Sequence, residues 1–136
     1  MSMMELSKHV LNVGRNCGVT NLQLQKVMYF TLKDYLKDEG ESEFIEKLYD
    51  KPFETWQYGP VVPDLYYRYS GNGSMTINDE GKYNNKYSIF DKAIKKYLSE
   101  DVFELVERSH QEKFWKEHQG ENQERDEYTL DDIIGE

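Results

Sequence analysis

The side chains best suited to metal binding or acid–base chemistry are the three histidines, His9, His110 and His118. None of them stands beside another histidine or a cysteine at the short spacing typical of zinc ligands. His110 and His118, with Glu112 between them, form an imaginable cluster, but their spacing is generic. The sequence therefore predicts no metal site and no cofactor.

A search for phosphate-binding loops and activated nucleophiles is also negative. Gly71 and Gly73 are followed by Ser-Met-Thr-Ile instead of the basic helix start that a phosphate-binding loop requires. No serine has the flanking residues of a nucleophile elbow. The many carboxylates always supply some pair that resembles a general acid and base, but such a pair needs a pocket that shifts its pKa values. We predict that the protein is not an enzyme.

Aromatic side chains are crowded into the centre of the chain. The crowded residues are Trp56, Tyr58, Tyr66, Tyr67, Tyr69, Tyr83 and Tyr87. Adjacent residues of a helix point about 100° apart, so Tyr66 and Tyr67 cannot both face inward and at least one ring is expected to be exposed. Exposed tyrosine and tryptophan anchor many protein interfaces. Two interpretations stay open for each ring, which either covers a small core or contacts a partner.

Length and charge narrow the class of protein. A chain of 136 residues predicts one domain. The formal net charge of −9 repels phosphate backbones and disfavours a role in nucleic-acid binding. Most of this imbalance lies in residues 116–136, where two basic side chains accompany eight acidic ones. This acidic tail is either a solvated segment or an arm that docks on a basic partner.

Several features indicate the cytoplasm. Cys17 is the only cysteine, so an internal disulfide is excluded. The first residues lack the basic and apolar regions of a signal peptide, and no apolar run approaches the roughly 20 residues of a membrane span. We therefore expect a cytoplasmic protein with no membrane contact.

Hydrophobic periodicity predicts a mainly α-helical, single compact domain of about five or six helices with a small β hairpin or short sheet in the middle. Leu6, Val10, Val13 and Cys17 recur at helical spacing, so we expect Cys17 to be a small buried residue at the end of a first helix.

The second helix has the clearest signals. Thr20 and Gln23 form a capping-box pattern, and Gly40 suits its end. Its wide apolar stripe places this helix at the centre of the fold.

The remaining elements follow from local signals. Residues 51–58 favour an extended path that the Gly59-Pro60 pair interrupts, and Pro63 suits the first turn of a helix. Residues 75–87 predict a hairpin with its turn at 78–81. Ser99 and Thr129 are expected to cap helices. Residues 119–128 are interpreted as a polar linker.

Three blocks of residues together resemble one known family. Residues 19–30, with Thr20, Gln25 and Tyr29, resemble the second-helix block of the Panacea-domain or SocA-like antitoxins, which include phage-associated GepA-like proteins. Residues 53–63 resemble the Trp-x-x-Gly-Pro centre of that family, and residues 109–115 resemble its closing block. The blocks occur in the family's order, so the resemblance extends from residue 6 to about residue 116.

The resemblance implies how the chain is organised and what it does. It implies a Panacea domain over residues 1–118, followed by an acidic tail with a short closing helix over 119–136. It implies an antitoxin that neutralises a cognate toxin, encoded by the adjacent gene, through direct protein contact. The alternatives are an adaptor that delivers a toxin to a cytoplasmic protease, or a phage-associated interaction module without a toxin partner.

The same blocks supply the candidate site. The Gly59-Pro60 bend is expected to lay Trp56 and Tyr58 against the second helix near Tyr29. We interpret this arrangement mainly as a brace of the fold and partly as a partner-binding surface. The candidate residues are Gln25, Lys26, Tyr29, Trp56, Tyr58, Gly59, Pro60, Val61, Tyr66, Tyr67, His110 and Trp115.

Overall fold

The computed structural model describes residues 1–118 and 125–136. Within these residues the α-helices are α1 (Met3–Val13), α2 (Asn21–Glu39), α3 (Glu43–Leu48), α4 (Pro63–Arg68), α5 (Asp91–Leu98), α6 (Val102–His110), α7 (Lys113–Glu117) and α8 (Leu130–Ile134). Strands β1 (Glu54–Trp56) and β2 (Gly59–Val61) form a two-stranded antiparallel sheet. Short 3₁₀ segments lie at Ser70–Asn72 and Asn85–Phe90. The predicted mainly α-helical class with a small β hairpin is confirmed.

Helix α2 is the centre of the fold, as its wide apolar stripe predicts. Thr20 and Gln23 form the expected capping box, and the backbone N–H of Gly40 closes the other end on the carbonyl of Leu36. Helices α1, α5, α6 and α8 and strand β2 all pack against α2. Because α2 contacts so many elements, even its polar residues Gln25 and Lys26 are buried.

The first helix is shorter than the periodicity predicts. It ends at Val13, where Gly14 caps it, and residues 14–18 form a turn that Gly18 completes with a positive φ of 76°. The prediction that Cys17 is a buried core residue is wrong, because the turn carries its thiol to the surface. Val19 takes the place in the core instead.

The β hairpin lies earlier in the chain than predicted. Gly59 and Pro60 were expected to interrupt an extended segment, but they lie inside β2, where Thr55 pairs with Pro60 and Trp56 with Gly59. The turn consists of Gln57 and Tyr58, which are both exposed. Proline is tolerated here because a two-stranded sheet has only edge strands.

The hairpin predicted over residues 75–87 is wrong. Thr76 makes only an isolated bridge to Thr20 among the described residues, and Asn85–Phe90 form a 3₁₀ helix. The aromatic rings of Tyr87 and Phe90 are buried there beside α5. Tertiary burial of these rings overrides the local turn signals.

The predicted caps have mixed outcomes. Thr129 caps α8 and Pro63 occupies the first turn of α4, as expected. Ser99 is not an N-cap, since it follows α5, and Asp101 caps α6 by accepting a hydrogen bond from the backbone of Phe103.

Residues 125–136 pack onto the body of the protein. The Thr55 N–H donates to the Asp126 carbonyl (2.9 Å), and the Tyr128 N–H donates to the Phe53 carbonyl (2.8 Å), so this segment lies along the free edge of β1. The side chains of Tyr128 and Ile133 are buried. Most of the predicted linker, residues 119–124, lies outside the described residues, and the domain boundary at residue 118 stays a prediction.

No helix within residues 1–118 and 125–136 has the length and apolar character needed to cross a bilayer.

Candidate partner-binding site on the hairpin

Two buried polar side chains of α2 hold the hairpin in place. The Lys26 ammonium donates to the carbonyl oxygen of Pro60 over 2.7 Å. The Gln25 carboxamide accepts from the N–H of Val62 over 2.8 Å and also faces the Val62 carbonyl. Both side chains are fully buried. Because the strand's backbone groups are paired with these side chains, the position of β2 on α2 is fixed.

Burial of Lys26 has an electrostatic consequence. Desolvation lowers the pKa of its amine from 10.5 to about 7. The group receives no compensation from a salt bridge within the described residues, where its polar contact is the Pro60 carbonyl. A lysine in this setting binds its proton weakly near neutral pH.

Gly59 brings the hairpin into close contact with α6. Its φ is +99°, which disfavours any residue with a side chain. A Cβ atom built here would lie 2.3 Å from Ser109 Oγ and 3.0 Å from Lys26 Cε. Only glycine permits β2 to lie between α2 and α6 at this distance.

His110 and Trp115 form hydrogen bonds with the backbone at the turn of the hairpin. The Trp115 indole N–H donates to the carbonyl of Trp56 over 2.8 Å, and His110 Nε2 lies 2.9 Å from the carbonyl of Gln57. Since a carbonyl only accepts, His110 donates from Nε2. Burial lowers the pKa of His110, and the two rings stack with centroids 3.9 Å apart. Both family-block residues therefore brace the hairpin.

A buried polar network joins α2 to Glu112, which precedes α7. Its carboxylate accepts from the Tyr29 hydroxyl and pairs with the Lys33 ammonium at 2.6 Å. Burial and then the charge of Glu112 raise the pKa of Tyr29. Sequence reasoning expected Trp56 beside Tyr29, but the rings that pack on Tyr29 include Phe53 and Tyr128. Trp56 lies further toward the beginning of α2, where it shares a pocket with Gln25.

The outer face of the hairpin and α4 carries an aromatic surface, defined as Trp56, Tyr58, Tyr66 and Tyr67. Exposed fractions are 55% for Tyr58, 38% for Tyr66 and 60% for Tyr67. The Trp56 ring centroid lies 5.2 Å from that of Tyr66 and 6.0 Å from that of Tyr67. The expectation that at least one of Tyr66 and Tyr67 is exposed is confirmed.

A small pocket opens within this aromatic surface. It has a volume of about 220 Å³ and is lined by Leu22, Gln25, Trp56, Gln57, Tyr58, Val61, Tyr66 and Arg125. Arg125 covers the Trp56 ring, with its guanidinium carbon 3.9 Å from the ring centroid. Sequence reasoning missed Arg125, because nothing local signals that a residue so distant in sequence folds back onto Trp56.

The histidine cluster considered from sequence is not assembled. The ring of His110 faces the hairpin, Glu112 faces Tyr29 and Lys33, and His118 Nδ1 lies 2.7 Å from the carbonyl of Phe114. In the part of the chain that the structure describes, no three His, Cys, Asp or Glu side chains are grouped closely enough to hold a metal ion. The arrangement offers fixed backbone and exposed aromatic rings for contact.

The fold and this site define a mainly α-helical domain. In it, a hairpin held by side chains of α2, α6 and α7 presents aromatic side chains. The profile of the family described as "Antitoxin SocA-like, Panacea domain" matches residues 24–116. The chain belongs to this family.

One curated relative supports the assignment. The protein named Antitoxin SocA from Caulobacter vibrioides (strain NA1000 / CB15N) is 31% identical to this chain over 90 residues. The match covers 66% of this chain and 45% of that protein, so the similarity spans less than half of the relative. No solved structure matches.

Proposed function

We propose that this protein is an antitoxin that neutralises a cognate toxin by binding it directly. The family described as SocA-like antitoxins supports the antitoxin role. The observation that carries direct binding is the exposure of two tyrosines. Tyr58 is 55% exposed on a hairpin whose backbone is held by buried groups, and Tyr67 is 60% exposed on the neighbouring helix α4.

The rigid frame of the aromatic surface favours binding. A tyrosine ring buries much area at small cost in rotamer entropy. Lys26, His110 and Trp115 already hold the backbone of the hairpin. The Asn21 carboxamide holds α4 by donating to the carbonyl of Tyr66 over 2.9 Å. Little ordering therefore remains when a partner arrives. The proposed role needs no reaction, only a stable complex.

Charge supports a basic partner. The chain carries a formal net charge of −9, and residues 116–136 contribute −6 of it. Such a field accelerates encounter with a positively charged protein and opposes contact with nucleic acid. We propose that the toxin is the product of the adjacent gene and that the two proteins meet in the cytoplasm.

Co-expression tests the proposal. Each neighbouring gene is expressed alone and together with this protein in a host cell. We expect one neighbour to stop growth alone and to be tolerated in the presence of this protein, with which it co-purifies at fixed stoichiometry. Failure of rescue with every toxic neighbour would contradict the proposal.

The half-life of the toxin separates binding from delivery to a protease. Direct neutralisation predicts that the toxin in rescued cells persists in the complex with an unchanged or longer half-life. A toxin that disappears faster when this protein is present, and persists when cytoplasmic proteases are deleted, would show an adaptor instead.

A further inference from the structure

A second surface, remote from the aromatic surface, lies between α2 and α5. This α2–α5 groove has a volume of about 730 Å³ and is lined by Thr31, Asp34, Tyr35, Asp38, Glu39, Ile89, Phe90, Lys92, Ala93 and Lys96. The residues that α2 contributes to this groove lie in the second half of the helix. The aromatic pocket, in contrast, lies beside Leu22 and Gln25 in the first turns of α2. Nothing in the proposed contact with a toxin uses this groove.

The two walls of the α2–α5 groove carry opposite charges. Asp38 and Glu39 lie on the α2 wall, and Lys92 and Lys96 lie on the α5 wall. Across the described part of the chain, none of these four side chains makes an ion pair within 4 Å. These four side chains are therefore not engaged in ion pairs within the described part of the chain.

An apolar side chain stands on the edge of the same groove. Ile89 is 59% exposed and belongs to the 3₁₀ segment Asn85–Phe90 that precedes α5. The groove interior beside it contains the aromatic rings of Tyr35 and Phe90, with Thr31 almost fully buried. The Thr31 hydroxyl has no hydrogen-bond partner among the described residues. A groove and a protruding apolar side chain thus lie next to each other on one face.

We propose that a second copy of this chain occupies the α2–α5 groove in a two-fold symmetric dimer. In such a contact the same patch serves both molecules, so each feature must find its complement on an identical surface. Ile89 of each copy enters the groove of the other, and the lysine wall of α5 faces the carboxylate wall of the second copy's α2. The α2–α5 face is self-complementary, because it carries both signs of charge and both a groove and a side chain that can enter it.

The net charge of −9 on each copy opposes association, but it acts over a longer range than the proposed contact. At physiological ionic strength the Debye length is about 8 Å, so distant repulsion is screened while charge pairs in contact persist. We therefore expect a reversible dimer that weakens at low ionic strength, where the repulsion is unscreened.

Sedimentation velocity on the full chain, without toxin, tests the proposal. Across about 1 to 200 µM in physiological salt, we expect the average mass to rise from 16.2 kDa toward twice that value. A mass that stays at 16.2 kDa throughout would overturn the proposal.

Matched variants locate the contact. Ile89→Asp is expected to weaken dimerisation at least tenfold, whereas Met75→Asp, at a position 73% exposed outside the groove, should leave it unchanged. Lys92→Glu and Asp38→Lys should each weaken the dimer, because like charges then face each other across the contact. Their combination should restore it, because the charges of both walls are reversed and opposite charges face each other again. Both positions are on the surface, and thermal melting verifies folding.

Two results would point to another occupant or another face. Equal loss with Met75→Asp, or no rescue by the double charge reversal, would overturn the assignment of the contact to this groove. If the wild type is monomeric and Ile89→Asp abolishes rescue from the toxin, the groove binds the toxin and the proposed dimer is wrong.

Discussion

Gly59 shows how one residue determines the geometry of the hairpin. Its φ of +99° and the 2.3 Å approach of a built Cβ to Ser109 Oγ are two separate obstacles to a side chain. The first is local strain in the backbone and the second is overlap with α6. A comparison of two glycine positions distinguishes these contributions.

We predict that Gly59→Ala lowers the free energy of unfolding by about 3 kcal/mol, since strain at positive φ and overpacking each cost about 1–3 kcal/mol. Gly73→Ala is the matched control, because Gly73 has a φ of 59° and open space around it. It should cost about 1–2 kcal/mol, the strain of a side chain at positive φ alone. Urea denaturation measures both, and equal costs would show that contact with Ser109 is unimportant.

Burial of Lys26 makes the stability of the fold depend on pH. The pKa of Lys26 is lowered to about 7 by burial in the folded chain, whereas an unfolded lysine keeps a pKa near 10.4. Between pH 7 and 9 the unfolded state therefore binds more protons than the folded state. By linkage the folded protein gains stability as the pH rises through this window.

We expect the wild type to gain about 2 kcal/mol between pH 7 and 9 relative to Lys26→Met, which has no titrating amine at this position. Loss of the hydrogen bond to Pro60 shifts the variant's stability by an amount that does not depend on pH. Urea denaturation of both proteins at the two pH values measures the difference. Parallel pH dependence would show that Lys26 stays charged in the folded state.

Residue types alone do not reveal these roles. Lysine is almost never fully buried, so the second-helix block gave no physical reason to place Lys26 in the core. The exposure of one of Tyr66 and Tyr67 did follow from helix geometry. The position of Arg125 over Trp56 did not, because it depends on the path of a chain segment many residues away.

The segment of residues 125–136 contributes two buried side chains, Tyr128 and Ile133, to the core. Asp126 and Tyr128 pair with β1, and the Glu136 carboxylate accepts the backbone N–H groups of Lys113 and Phe114 at the start of α7. The Tyr128 ring stacks on Phe114, with centroids 4.5 Å apart. A segment that is acidic in composition therefore stabilises the fold through its few apolar side chains.

Two substitutions at Tyr128 test this packing. The Tyr128 hydroxyl is buried without a hydrogen-bond partner among the described residues, so Tyr128→Phe should be neutral or stabilise by up to about 1 kcal/mol. Tyr128→Ala should cost about 3–5 kcal/mol, as for other buried aromatic residues. Thermal and urea unfolding give both values. A cost below about 1 kcal/mol for the alanine variant would contradict the packing of this segment.

Prediction of elements from the sequence succeeds where the signal is local. The capping box of α2 and the cap of α8 are formed by residues three positions apart, and both were found. The hairpin was placed over the wrong residues, because its strands are three residues each and their stability comes from α2, α6 and residues 126–128. Contacts between such distant segments have no periodic signature.

For the whole molecule, we propose that the fixed hairpin and the neighbouring helix α4 present exposed aromatic side chains to a partner protein. Hydrogen bonds from side chains of α2, α6 and α7 hold the hairpin in place. The partner should therefore lose affinity when exposed rings are removed, although the fold is unchanged. Tyr58 and Tyr67 suit this test because each is more than half exposed.

Isothermal titration calorimetry compares the affinity of the purified toxin for the wild type with its affinity for the Tyr58→Ala/Tyr67→Ala variant. With Phe103→Ala as control, at a position 66% exposed on α6, we predict unchanged affinity for the control. For the double variant we predict at least thirtyfold weaker binding, since loss of an interface anchor costs about 2 kcal/mol or more. Equal affinities for the wild type, the control and the folded double variant would show that Tyr58 and Tyr67 do not anchor the partner.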